Sequence, residues 1–146
     1  MHLHLITGST LGAAEYVADH INDLLEQHNI SATIHNQPDL SQLDPNAPWL
    51  LICSTHGAGE LPDNIQPFYS QLQQRTDLRP LRYGVIGLGD SNYDTFCAAA
   101  YQLDEVLIQG KAARILPQLN IDVSQHPVPE EQVEPWLSTF LSALCE

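Results

Sequence analysis

Residues 1–28, MHLHLITGSTLGAAEYVADHINDLLEQH, predict a buried strand, a glycine-containing turn and an amphipathic helix, in that order. The apolar run at residues 3–7 stops at Gly8. From about residue 13 to residue 28, apolar side chains recur at the spacing that places them on one face of a helix. A strand followed directly by such a helix is the first part of a β-α-β unit, which favours a parallel sheet covered by helices.

The rest of the chain repeats this alternation of strand and helix. Further strands are predicted at residues 31–35, 49–54 and 83–88 and within 113–121, and further helices from about residue 62, from about 93 to 109 and after Pro129-Glu130-Glu131. The chain has 146 residues, of which 43% are hydrophobic, so we expect residues 1–146 to form a single domain. The fold class is α/β, with helices on both faces of a five-stranded parallel sheet, and two strand orders are common for such sheets.

The charge of the chain is strongly negative. Five basic residues stand against eighteen acidic ones, which gives a formal net charge of −13, and residues 1–74 contain no Lys or Arg. Nucleic-acid binding needs a positive surface that displaces counterions from phosphates, so we expect no nucleic-acid partner. The acidic surface either provides solubility or steers the protein toward a basic partner.

Apolar runs and cysteines indicate the compartment. No run approaches the roughly 18 apolar residues of a membrane span, and the N-terminus lacks the features of a signal peptide. Cys53, Cys97 and Cys145 have no metal-ligand spacing. His2 and His4 share one face of a strand, but the sequence places no third ligand beside them. We therefore expect a cytoplasmic protein with no membrane partner and no metal site.

Ligands of doubly wound sheets bind outside the carboxyl ends of the strands, and three of those loops are rich in Gly, Ser, Thr and Asn. The first, GSTLGAA at residues 8–14, joins a buried strand to a helix N-terminus. Its backbone N–H groups and the helix dipole favour an anion, although it is neither a P-loop nor a G-x-G-x-x-G loop. An ordinary strand-to-helix turn is the alternative interpretation.

The other two loops favour a flat ligand. In STHGAGELPDN, residues 54–64, the glycines on either side of Ala58 let the backbone approach a ligand closely. A Cys53–His56 nucleophile pair is disfavoured, because Cys53 ends a strand predicted to be buried. In GLGDSNYDTFC, residues 87–97, the ring of Tyr93 can stack on a planar ligand, and backbone N–H groups can reach the polar edge of that ligand.

Together the three loops resemble those of the flavodoxin family. Residues 8–15 resemble the family's phosphate loop, residues 54–60 its first isoalloxazine loop and residues 88–97 its second. The first two loops together are similar to those of the MioC group of short-chain flavodoxin-like proteins. The resemblance spans essentially the whole chain and implies a flavodoxin-like three-layer α/β/α sandwich with sheet order 2-1-3-4-5.

The resemblance implies FMN as the cofactor and assigns residues to it in three groups. The phosphate would be held by Ser9, Thr10, Leu11, Gly12, Ala13 and Ala14, and the isoalloxazine ring by Ser54, Thr55, His56, Gly57 and Gly59 together with Leu88, Gly89, Asp90, Tyr93, Phe96 and Cys97. His56 and Tyr93 would flank the ring, and the Gly57 carbonyl would meet flavin N5 on reduction. The family usually has Asn and Thr where this chain has Ala13 and Ala14, so we predict FMN binding in the micromolar range.

The acidic surroundings of such a site predict a low-potential one-electron carrier and not an enzyme with its own substrate. The chain has no nicotinamide-binding fingerprint, so a separate reductase must supply the electrons. The resemblance implies a flavodoxin/ferredoxin-NADP reductase-type donor and acceptor enzymes that include radical enzymes such as biotin synthase. Two alternatives remain: a flavin-free or weakly binding interaction module, and an FMN-dependent quinone reductase.

Overall fold

The computed structural model describes residues 1–9, 12–55, 59–93 and 95–145. Its strands are β1 (His2–Gly8), β2 (Ser31–His35), β3 (Trp49–Ser54), β4 (Arg82–Gly89), β5 (Ala113–Arg114) and β6 (Leu119–Asp122). Its α-helices are α1 (Ala13–Gln27), α2 (Gln66–Gln74), α3 (Ala98–Gln109) and α4 (Glu130–Leu144), with short 3₁₀ turns at Leu40–Gln42 and Asp63–Ile65.

All strand pairings are parallel, and the sheet order is β2-β1-β3-β4 followed by β5 and β6, which both pair with β4. This confirms the predicted order 2-1-3-4-5, with the fifth position filled by two segments. Tyr83 pairs with Arg114 and Ile86 with Leu119, so residues 115–118 lie opposite only two residues of β4. The extra residues break the ladder between β5 and β6.

The two faces of the sheet bury different helices. Leu50 and Ile52 pack on the face covered by α1 and α4, whereas Leu51 and Cys53 pack on the face covered by α2 and α3. Trp49, on the same face as Leu51, is fully buried. Because successive side chains of a strand point to opposite faces, the unbroken apolar run of β3 supplies both cores. This confirms the predicted three-layer sandwich.

Helix α3 begins at Ala98, five residues later than the sequence pattern predicts. The Asp90 carboxylate accepts a hydrogen bond from the Asn92 N–H at 2.9 Å, and the Tyr93 N–H donates to the Asp90 carbonyl at 3.1 Å. Cys97, directly before the helix, has a left-handed φ of 55°. These local contacts form a turn in place of the first helical residues, so Tyr93 lies in the loop.

Candidate functional site

The carboxyl ends of β1, β3 and β4 meet at one edge of the sheet. Gly8 pairs with Cys53, and Cys53 pairs in turn with Gly87. The three polar loops therefore leave neighbouring strands at the same level, about 4.8 Å apart from strand to strand. This is the edge at which the sequence places the ligand site.

The N-terminus of α1 provides backbone donors at this edge. Its N-cap is Gly12, which has a φ of 88° and no side chain to accept from the first-turn amides. The first amides of an α-helix have no partner within the helix, so those of Ala13 and Ala14 suit an anion. The side chain of Ala14 is fully buried in the core between the sheet and helices α1 and α4, so only its backbone can contact such an anion, whereas Ala13 is exposed.

Ser9 lies below this helix end in a hydrogen-bonded cluster. Its hydroxyl donates to Glu15 Oε2 and accepts from the Gly12 N–H at 3.1 Å. The other carboxylate oxygen of Glu15, Oε1, accepts from the Thr7 hydroxyl at 3.1 Å. The carboxylate in the first turn of α1 thus binds the hydroxyls on both sides of Gly8. Glu15 belongs to the phosphate-loop motif but is not among the predicted phosphate ligands.

Asn64 connects the first two loops. Its Oδ1 accepts from the Ser9 N–H at 3.1 Å, and its Nδ2 donates to the carbonyls of Thr7 at 2.9 Å and Asn36 at 2.7 Å. The side chain thereby joins the ends of β1 and β2 to the chain that follows β3. Sequence reasoning missed this role, and its only signal was an amide residue at the end of the polar run 54–64.

Four residues predicted to hold the cofactor lie outside the described part of the chain. They are Thr10, Leu11, His56 and Gly57. Their roles stay predictions.

The described part of the second loop is anchored on α3. Thr55 Oγ1 accepts from the Ala99 N–H at 3.1 Å, and Gln102 Nε2 donates to the Gly59 carbonyl at 2.8 Å. Gly59 is buried with a left-handed φ of 89°, and a Cβ there would lie 3.2 Å from Thr95 Cγ2. Ser54, the last residue of β3, is half-buried at the start of this loop. The second loop therefore rests directly on the third.

The third loop is closely packed where it leaves β4. A Cβ on Gly89 would lie 2.9 Å from the Cys97 backbone nitrogen and 3.1 Å from Phe96 Cδ1. Leu88 and Cys97 are buried, and Phe96 is half-buried. Burial, with a smaller effect of Asp122, raises the pKa of the Cys97 thiol to about 12, so this thiol is not a nucleophile at neutral pH.

Asp122, at the end of β6, holds the other side of the third loop. Its carboxylate accepts from the backbone N–H and hydroxyl groups of Ser91 and Ser124. These hydrogen bonds, with those from the Ser124 and Ser91 side chains the strongest, lower the pKa of Asp122 to about 2. Tyr93, two residues beyond Ser91, is 57% exposed. The loop is thus held on both sides while the ring of Tyr93 stays exposed.

A histidine contact lies away from these loops. His4 Nδ1 is 2.9 Å from His35 Nε2, so β2 brings a third histidine beside His2 and His4, which the sequence pattern does not predict. Among the described residues, no group of three or more His, Cys, Asp or Glu side chains is placed to hold a metal ion. None of the described helices is long and apolar enough to cross a membrane.

Comparison with known proteins identifies the class. The flavodoxin family model matches residues 5–136. The chain therefore belongs to the flavodoxin family, whose members are electron-transfer proteins, and its cofactor is FMN. The first backbone amides of α1 and the exposed ring of Tyr93 fit the phosphate and the ring of this cofactor.

Within the family, the chain is similar to MioC proteins over nearly its whole length. It is 43% identical to a MioC homolog of Haemophilus influenzae over 145 residues, 99% of each chain. It is also 43% identical to MioC of Escherichia coli strain K12 over 141 residues, 96% of each chain. Among solved structures, a cysteine-to-alanine mutant of flavodoxin from Pseudomonas aeruginosa has a TM-score of 0.91, with 37% identity and full coverage of both chains. These findings confirm the resemblance seen in the three loops.

Proposed function

We propose that this chain is a low-potential one-electron carrier and has no substrate of its own. It receives electrons from a separate reductase of the flavodoxin/ferredoxin-NADP reductase type and passes them to acceptor enzymes of the cytoplasm, radical enzymes such as biotin synthase among them. The observation that carries the proposal is the separation of charge along the sheet, since every Lys and Arg lies at the end opposite the three loops.

The basic residues cluster at the amino ends of the strands. They are Arg75, Arg79, Arg82, Lys111 and Arg114. Arg75 ends α2, Arg82 begins β4, and Arg114 lies in β5 opposite Tyr83. Because the strands are parallel, the carboxyl ends of β1, β3 and β4 lie at the far edge of the sheet from this cluster.

Much of this positive charge is also engaged within the protein. Arg79 forms an ion pair with Asp77 at 2.6 Å, and Arg114 forms one with Asp104 at 2.6 Å. The Arg82 guanidinium donates to the Leu144 carbonyl at 3.1 Å. The loop edge therefore gains little compensation from these cations, which supports a negative potential around a bound flavin.

This charge distribution supports a low reduction potential. FMN supplies the electron-transfer chemistry, and each added electron increases the negative charge beside a phosphate that no Lys or Arg of the first 74 residues can neutralise. Destabilising the reduced flavin by about 1.4 kcal/mol relative to the oxidised flavin lowers a one-electron potential by about 59 mV. In place of a cation, the backbone amides of α1, the helix dipole and the hydroxyls of the phosphate loop would hold the phosphate.

The same charge distribution favours partners with a basic docking surface. Opposite charges across an interface raise association rates, and salt screens this effect over about 8–10 Å at physiological ionic strength. Electron transfer from the reductase should therefore slow as salt is added. The exposed ring of Tyr93 lies at the edge where such a partner would approach the flavin.

Stepwise anaerobic reduction of the FMN-loaded protein tests the proposal. We expect the visible spectrum to pass through the long-wavelength absorbance of one-electron-reduced flavin, and the second electron to enter only at low potential. A reductase of the stated type should then reduce the protein, faster at low salt than at high salt. Direct conversion of oxidised to fully reduced flavin, or steady NAD(P)H–quinone turnover without a reductase, would contradict it.

A further inference from the structure

We propose that Glu15 is a positioning residue that weakens FMN binding, because it holds the proton of the Ser9 hydroxyl that the phosphate would otherwise use. The proposal rests on the proposed function in one respect, namely that the FMN phosphate binds at the N-terminus of α1. Glu15 is not among the predicted FMN ligands, but its carboxylate accepts a hydrogen bond from Ser9, which is one of them.

The hydrogen bonds of Ser9 carry the argument. A serine hydroxyl has one proton, and that of Ser9 is donated to Glu15 Oε2. The Ser9 oxygen also accepts from the Gly12 N–H at 3.1 Å, and the Ser9 N–H donates to Asn64 Oδ1 at 3.1 Å. Each Ser9 donor thus has a partner within the protein. A phosphate could accept from the hydroxyl only after the bond to Glu15 breaks.

Thr7 keeps Glu15 in this place. Its side chain is fully buried, and its hydroxyl donates to Glu15 Oε1 at 3.1 Å and lies 3.4 Å from the His35 carbonyl. Two hydroxyls on β1 and its following loop therefore bind the two oxygens of one carboxylate. An ionised carboxylate only accepts hydrogen bonds, as does a phosphate oxygen, so the two anions compete for the same donor.

Charge makes the competition stronger. None of the ion pairs among the described residues includes Glu15. Glu15 lies in the first turn of α1, so it already draws on the helix dipole that would stabilise the phosphate. Two anions at one helix end without a cation repel each other, and this repulsion should weaken binding of phosphorylated flavin only.

The decisive variant is Glu15→Gln. Its amide oxygen can still accept from the buried Thr7 hydroxyl, while its NH₂ group donates to the Ser9 oxygen and so releases the Ser9 proton for the phosphate. We expect FMN to bind about tenfold more tightly, the effect of one hydrogen bond to a charged group. Riboflavin lacks the phosphate, and its affinity should stay unchanged.

Titrations of the apoprotein with FMN and with riboflavin, followed by flavin fluorescence, measure this difference. Glu131→Gln is the matched control, because it removes the same charge from an exposed position in the first turn of α4. That variant should leave both affinities unchanged. Adding Ser9→Ala to Glu15→Gln should remove the part of the gain that comes from the released Ser9 donor and leave only the part that comes from the lost repulsion. Thermal unfolding of each apoprotein shows whether the variants fold.

Each outcome decides between the proposals. A gain for FMN alone that depends on Ser9 supports the role of Glu15, even if stepwise reduction shows no one-electron species and the carrier function is wrong. Unchanged or weaker FMN binding by a folded Glu15→Gln protein overturns it. Equal gains for FMN and riboflavin also overturn it, since the effect would then not involve the phosphate. If the wild-type protein binds both flavins equally, the phosphate site itself is wrong and the role of Glu15 fails with it.

Discussion

Replacing Gly89 with alanine tests whether close packing fixes the third loop. The added Cβ would lie 2.9 Å from the Cys97 backbone nitrogen, 3.1 Å from Cys97 Sγ and 3.1 Å from Phe96 Cδ1. A side chain can rotate away from such a contact, but the backbone nitrogen just before α3 cannot. Overpacking of this kind costs about 1–3 kcal/mol, and the backbone contact places Gly89→Ala at the upper end, about 2–3 kcal/mol.

Urea unfolding of the apoprotein measures this cost, and flavin titration measures its effect on the site. A loss of about 2–3 kcal/mol should lower the melting temperature of a chain of this size by about 4–12 °C. The displaced loop should weaken FMN and riboflavin binding equally, because its predicted contacts are to the ring and not to the phosphate. The control is Gly12→Ala, where no described atom lies within 4 Å of the added Cβ but φ is 88°.

Gly12→Ala should cost only the strain of a left-handed residue, about 1–2 kcal/mol, and Gly12→Asn less, since asparagine tolerates this conformation. At position 89, replacing alanine with asparagine should not restore stability, because the limit there is the space for a Cβ and not the backbone conformation. If Gly89→Ala unfolds within about 0.5 kcal/mol of the wild type, the effect is that of an ordinary surface substitution and the reasoning is refuted.

Two further predictions concern the flavin ring and the histidine contact. Tyr93→Ala should weaken FMN and riboflavin binding alike, by up to about tenfold, because an aromatic stack contributes about 0.5–1.5 kcal/mol. Tyr93→Phe keeps the ring and should retain most of the affinity. A loss confined to FMN in the flavin titration would contradict the stacking role. Burial, and in addition the charge of neighbouring histidines, lowers the pKa values of His4 and His35 below 6.5. The unfolded chain therefore takes up protons first as the pH falls, so the stability that this pair contributes is complete above about pH 6.5 and is lost below it. Urea unfolding between pH 7.5 and 5 should show this loss of unfolding free energy in the wild type and a smaller loss in His35→Asn. The control His28→Asn, at an exposed position, should behave like the wild type. If the unfolding free energy falls equally with pH in all three proteins, the His4–His35 pair is not the cause.

The meeting of the three loops could be predicted from the sequence because it follows from parallel pairing alone. Once Gly8, Ser54 and Gly89 are recognised as strand ends, the carboxyl ends of parallel strands must lie at one edge of the sheet. The cofactor followed from the motifs that these loops carry. Neither step required knowledge of side-chain contacts.

The start of α3 and the ties between loops could not be predicted in this way. Apolar spacing indicates where a helix can form, but the turn closed by Asp90, Asn92 and Tyr93 and the left-handed Cys97 decide where α3 begins. Asn64 and Asp122 contact residues 55 and 31 positions away in the chain. Such contacts depend on the register of the whole sheet, which a local pattern does not contain.

The charge around the site links its affinity for FMN to its reduction potential. Binding and reduction form a thermodynamic cycle, so a bound flavin with a potential below that of free FMN must bind less tightly when reduced, by tenfold for about each 59 mV. The Glu15 carboxylate is not offset by any Lys or Arg in residues 1–74, so it should weaken binding of oxidised FMN by repelling the phosphate. It should weaken binding of reduced FMN further, because reduction adds negative charge. If the carrier proposal is right, the features that lower the potential therefore also weaken the binding of oxidised FMN. A carrier of this kind reaches a low potential only if it binds reduced FMN less tightly than oxidised FMN.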